Sequence, residues 1–94
     1  MKNIIKIEYC TQCGWLLRAN WMSQELLTTF SDEITELSLQ PSTGGIYNIT
    51  ANNVLVWSRK EEKGFPEITE LKRRIRDVIA PDRNLGHIDR KNKT

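Results

Sequence analysis

Ninety-four residues with 14 basic and 12 acidic side chains, a net charge of +2, make one domain of ordinary soluble composition, 38% hydrophobic and 28% charged. No apolar run approaches the roughly 20 residues of a membrane span, and Ile4-Ile5-Lys6-Ile7 is too short and too polar for a signal-peptide core, so the cytoplasm is the expected location. The whole excess of charge falls in residues 82–94, where Arg83, Arg90, Lys91 and Lys93 outnumber Asp82 and Asp89; the neutral body offers no electrostatic pull toward nucleic acid.

The chain opens on a strand over 3–9, with Ile5, Ile7 and Tyr9 on one side and Lys6 and Glu8 on the other. Cys10-Thr11-Gln12-Cys13 follows, holding the only two cysteines. From Gly14 to Phe30 the period changes to that of a helix: Trp15, Ala19, Met22, Leu26 and Phe30 form one stripe. Trp21 lies off that stripe with Leu17 and is a candidate docking residue. Ser31-Asp32 breaks the helix, and Ile34 to Gln40 reads as a second strand with Leu37 and Leu39 inward. Strand, helix and strand in this span predict a right-handed βαβ unit with parallel strands.

Pro41 to Gly45 has loop composition. Ile46–Thr50 and Val54–Ser58 read as strands joined by Ala51-Asn52-Asn53, whose asparagines tolerate positive φ. Val54-Leu55-Val56-Trp57 does not alternate, which predicts a central strand buried on both faces. Arg59 to Gly64 reads as a charged turn. Pro66 suits the first position of a second helix, with Ile68, Leu71, Ile75, Val78 and Ile79 as its apolar stripe. Pro81 ends it, so the domain is expected to span 1–81, with 82–94 a flexible polar tail. The order β-α-β-β-β-α predicts an α/β (α+β) fold of thioredoxin-like type: a mixed four-stranded sheet with two helices.

A Cys-x-x-Cys pair between a strand and an amphipathic helix, inside a βαβ pattern, is the layout of a dithiol redox site. A helix starting at the pair would set its positive end against a thiolate. Thr11 and Gln12 carry no charge and should tune the thiols only slightly, and no nearby His or Lys can act as a dedicated base. Zinc would need four ligands; two cysteines and His87 cannot complete a site alone, which leaves only a site shared between two chains. The loop at Gly44 and Gly45 is expected beside the cysteines, where a partner's backbone could approach closely.

Tyr9-Cys10-Thr11-Gln12-Cys13, Gly44-Gly45-Ile46-Tyr47, Val54 to Lys60 and Gly64-Phe65-Pro66 resemble the selenoprotein W, T and H group, most closely its bacterial selenoprotein W-like (Rdx) members, from Ile4 to about Ala80. The resemblance implies a thioredoxin-like fold and thiol–disulfide oxidoreductase activity in cell redox homeostasis, acting on protein thiols and disulfides or with glutathione as thiol co-substrate, with no bound cofactor. Cys10 and Cys13 match the redox pair. Selenium-containing members carry selenocysteine at the position of Cys13, so thioredoxin logic makes Cys10 the attacker while the family pattern points to Cys13. A thioredoxin cis-proline would stand just before the third strand; Pro41 is too early, and Gly44-Gly45 takes its place. The alternative function is a redox-gated interaction module, docking through Trp21 or the glycine loop without turnover.

Overall fold

The computed structural model describes residues 2–86, whose elements run β1 (Ile4–Cys10), α1 (Leu16–Thr29), β2 (Glu36–Ser42), β3 (Tyr47–Ala51), β4 (Val54–Ser58), α2 (Arg59–Glu62) and α3 (Ile68–Ile79). The sheet order is β2-β1-β3-β4, with β1 parallel to β2 and antiparallel to β3, and β4 antiparallel to β3. This is the mixed four-stranded, thioredoxin-like sheet that the element order predicts.

Alternation in β1 and β3 decides which side is buried. Ile5, Ile7 and Tyr9 with Tyr47, Ile49 and Ala51 form one face, and Ala19, Met22, Leu26 and Phe30 of the α1 stripe join Leu71 and Ile75 of α3 in covering it. Each large side chain so buried contributes about 1.5–3 kcal/mol relative to exposure. The opposite face presents Lys6 and Glu8 beside Ser38, Gln40, Asn48 and Thr50, polar partners in register across three strands. α1 and α3 therefore pack on one side.

Several expectations shift. β4 is an edge strand, not a central one, and its missing alternation has a local cause. Ile49 pairs with Trp57 and Thr50 with Leu55, so Val56 is the extra residue of a β-bulge, and Val56, Trp57 and Ser58 are all buried while Val54 and Leu55 stay exposed. Pro41 and Ser42 extend β2 instead of opening the loop, because Tyr9 and Cys10 continue the parallel ladder opposite them. The charged turn after β4 contains a one-turn helix, α2, in which Ser58 caps the Glu61 amide at 3.5 Å and Lys63 closes the turn in the left-handed region. Pro66 precedes α3, which starts at Ile68 with Glu67 at the cap.

The hairpin turn forms as predicted, with Asn52 and Asn53 at φ 51° and 66°. Asn52 also ties the turn to the start of β1. Its Oδ1 accepts from the Ile4 amide at 2.8 Å and its Nδ2 donates to Asn3 Oδ1 at 3.0 Å. The Asn3 side chain donates in turn to the Glu33 carbonyl at 3.0 Å, and its amide donates to Thr35 Oγ1 at 3.1 Å. The start of the segment expected to be a free tail is laid on the body. Arg83 pairs with Glu33 at 2.8 Å and its guanidinium sits 5.2 Å from the Phe30 ring, while Leu85 packs against the core. The rest of that segment, His87 included, lies outside the described residues.

Candidate functional site

β1 delivers Cys10 at its last position, and the chain must then turn away from the sheet to enter α1. The turn is pinned by backbone bonds to the end of β2 and to the residue just before β3. The Cys10 amide donates to the Ile46 carbonyl at 2.8 Å, and the Thr11 amide to the Ser42 carbonyl at 3.0 Å. Thr11 Oγ1 reaches the same Ser42 carbonyl at 3.3 Å. The loop between β2 and β3 is thereby held against the cysteines, where Gly44 and Gly45 adopt φ 81° and 72°. An L-residue with a side chain would strain there by about 1–2 kcal/mol. All peptide bonds among the described residues are trans, Pro41 included.

The two sulfurs differ in environment. Cys10 is 1% exposed, whereas Cys13 is on the surface. Cys13 Sγ donates to Cys10 Sγ at 2.7 Å. That accepted proton is the main reason the Cys10 thiol is held below its ordinary value; burial opposes it, and the amides of Gly45, Cys13 and Gln12 reinforce it. Cys13 moves the opposite way. Donating to Cys10 raises it first, then desolvation and the charge on Cys10, while the positive charge of Arg59 works against these. The pair thus shares one proton and ionises in two separated steps, the first on the buried sulfur. The expected contact between a helix terminus and the thiolate is not made. α1 begins at Leu16, beyond Gly14 and Trp15, and the amides that reach Cys10 come from the motif itself and from Gly45.

Beside the pair stands an aromatic cluster that sequence spacing did not reveal. Trp15, Tyr47 and Phe65 meet edge to face, with centroid separations of 6.2, 5.0 and 5.0 Å. Tyr47 is buried and its hydroxyl donates to Met22 Sδ at 3.1 Å, so burial pushes its pKa up and it stays a neutral donor. Two guanidinium groups lie over these rings: Arg59 at 4.7 Å from Trp15 and 5.4 Å from Phe65, and Arg18 at 4.0 Å from Phe65. The residues come from α1, β3, α2 and the segment before α3, so no single stretch of sequence announces them. The glycine–phenylalanine–proline run at 64–66 was a marker of resemblance without an assigned role.

Of the other residues singled out from sequence, Thr11 and Gln12 are exposed on the motif's rim and Tyr9 is in the core. Trp21 is 46% exposed and Leu17 80%, one turn apart on the outer surface of α1. No group of three His, Cys, Asp or Glu suited to a metal ion occurs among the described residues, and no helix there is long and apolar enough to cross a membrane.

Comparison with known proteins agrees with this geometry. The sequence profile of the Rdx family matches residues 4–77. The crystal structure of a selenoprotein W-related protein from Vibrio cholerae superposes with a TM-score of 0.81 at 54% identity, covering 83% of this chain and 98% of the other. A crystal structure of a protein from Bordetella parapertussis gives 0.80 at 51% identity, covering 82% and 98%. No curated protein matches.

Proposed function

This chain belongs to the Rdx family, and from that premise we propose that it is a thiol–disulfide oxidoreductase working through Cys10 and Cys13 in a reducing compartment such as the cytoplasm, on protein or glutathione disulfides. The observation that carries this reading is the 2.7 Å hydrogen bond from the exposed sulfur to the buried one. It prepares a thiolate and a reachable nucleophile within one pair.

The chemistry balances on the two cysteines alone. A partner disulfide meets Cys13, the sulfur on the surface. As Cys13 attacks, its proton passes to the Cys10 thiolate along the hydrogen bond, so Cys10 serves as the base that the sequence otherwise lacks. One partner sulfur leaves as a thiolate and a mixed disulfide forms on Cys13. Cys10 then attacks Cys13, gives its proton to the second departing sulfur, and closes the internal disulfide. Two electrons have moved from the pair to the partner. A cellular thiol or dithiol donor returns them. The Cys13 attack agrees with the selenocysteine position of the family's selenium-containing members.

Equilibration with thiol buffers, read by counting free thiols, tests the couple. A reversible internal disulfide between roughly −300 and −120 mV is expected, together with repeated reduction of a disulfide-bonded peptide when a thiol donor is supplied. A pair that forms no internal disulfide overturns the proposal. A pair that oxidises once and turns nothing over would favour redox-gated docking, for which the exposed Leu17 and Trp21 offer a surface.

A further inference from the structure

The arginines divide into two sets. Six fall among the described residues, and four of them hold carboxylates: Arg73 and Arg74 with Glu70, Arg74 also with Glu62 at 2.5 Å, Arg76 with Asp77 at 2.8 Å and Arg83 with Glu33 at 2.8 Å. Arg18 and Arg59 hold none among the described residues, and these two are the ones stacked on the aromatic cluster beside the thiols. Arg59 Nε is buried without a hydrogen-bond partner. Arg73 Nε shares that state, but the Arg73 guanidinium is already engaged by Glu70. A guanidinium set over a ring, with no carboxylate on it, has donors left for an incoming carboxylate.

We propose that Arg18 and Arg59 form a carboxylate-recognition site, and that the disulfide this protein prefers lies in a peptide segment with Asp or Glu close to the reacting sulfur. The inference rests on the thiol–disulfide reading above and names the substrate class of that site. Its basis is charge complementarity. Two cations without a carboxylate partner among the described residues lie over the aromatic cluster, and the positive charge of Arg59 acts on the exposed Cys13 directly. A peptide is favoured because the surface around the pair is extended. Leu17 and Trp21 continue along α1 on one side, and Thr43 and Gly44 are exposed on the loop on another. An acidic segment entering there would bring its sulfur to Cys13 while its carboxylates complete the arginines.

The test uses two forms of one short peptide with Glu, Gln or Lys on both sides of the central residue. In the first form that residue is serine, and binding is read by fluorescence anisotropy. In the second it is a cysteine in a disulfide, and exchange is read as kcat/KM. The Glu peptide should bind about tenfold more tightly than the Lys peptide at low salt, and the preference should shrink as salt is raised. R18Q/R59Q should erase the preference and R18K/R59K should restore part of it. K60Q, which alters an exposed neighbouring charge outside the cluster, should leave it intact. Equal binding of all three peptides, or a preference unchanged in R18Q/R59Q, overturns the inference. Charge-selective binding without exchange of any disulfide peptide would instead overturn the oxidoreductase reading and leave the recognition site standing.

Discussion

The two ends of β1 are built to opposite rules. At the Asn3 end the polar groups pair within the chain: Asn3, Asn52, Thr35 and the Glu33 carbonyl close a network around the strand start. At the Cys10 end, seven residues later, two arginines lack carboxylates among the described residues, one guanidinium nitrogen is buried unpaired, two glycines hold positive φ, and a buried thiol is held below its ordinary value. Buried polar groups are satisfied almost everywhere in folded proteins, and exceptions concentrate at working sites. The contrast teaches where stability is made and where reactivity is kept. The far end fastens the hairpin and the β2 entry to β1, so that the near end can carry unfinished chemistry without unravelling.

The largest expected effect breaks the near end alone. Cys13→Ser should abolish turnover with a disulfide peptide and leave the thermal midpoint almost unchanged, since Cys13 is on the surface. Cys10→Ser should also stop turnover but trap partners as mixed disulfides on Cys13, visible by intact mass. Next, Asn3→Ala breaks the far end. It orphans Asn52 Nδ2 and the Glu33 carbonyl, so chemical denaturation should show a loss of about 1–3 kcal/mol, with kcat/KM retained well below the midpoint. Equal damage to both quantities would mean that the two ends are not separable.

Gly45→Ala sharpens the comparison from the loop. Nothing lies within 4 Å of the added Cβ, so the cost is backbone strain at φ 72°, about 1–2 kcal/mol. The Gly45 amide that helps hold the Cys10 thiol low should shift, and the thiolate titration midpoint should rise. The mildest effect is on titration. Because the Cys10 value is lowered in the fold, its thiolate adds stability above the ordinary 9.0, and that contribution is lost as pH falls through the lower folded-state value. The ultraviolet absorbance of the thiolate should therefore persist in the reduced protein at a pH where that of a free cysteine peptide has faded. Cys13→Ala, which removes the donated proton, should move the midpoint of that absorbance back up.

Much of this was readable from residues in sequence order. The α1 stripe from Trp15 to Phe30, the alternation of β1 and the Asn52-Asn53 turn each follow from a local period or a local φ preference, and local rules leave local traces. The cysteine pair needs only its own spacing and its neighbours. What stayed hidden depends on partners far along the chain. The Val56 bulge exists only relative to β3, so Val54 to Trp57 imitates a central strand. Pro41 belongs to β2 because Tyr9 reaches it. Nothing in the sequence marks Arg18 and Arg59; the fold sets both on Phe65, and the missing carboxylates become visible only beside the other arginines among the described residues, each of which has one.

The bulge has a consequence beyond its effect on burial. Val54 and Leu55 make a short apolar margin on an open sheet edge, the sort of strip along which copies of a protein can zip together into aggregates. The extra residue at Val56 interrupts the regular spacing of donors and acceptors just past that margin, and Pro41 has no N–H to offer on the opposite edge strand. Each border of the sheet thus carries a built-in irregularity that opposes runaway strand addition.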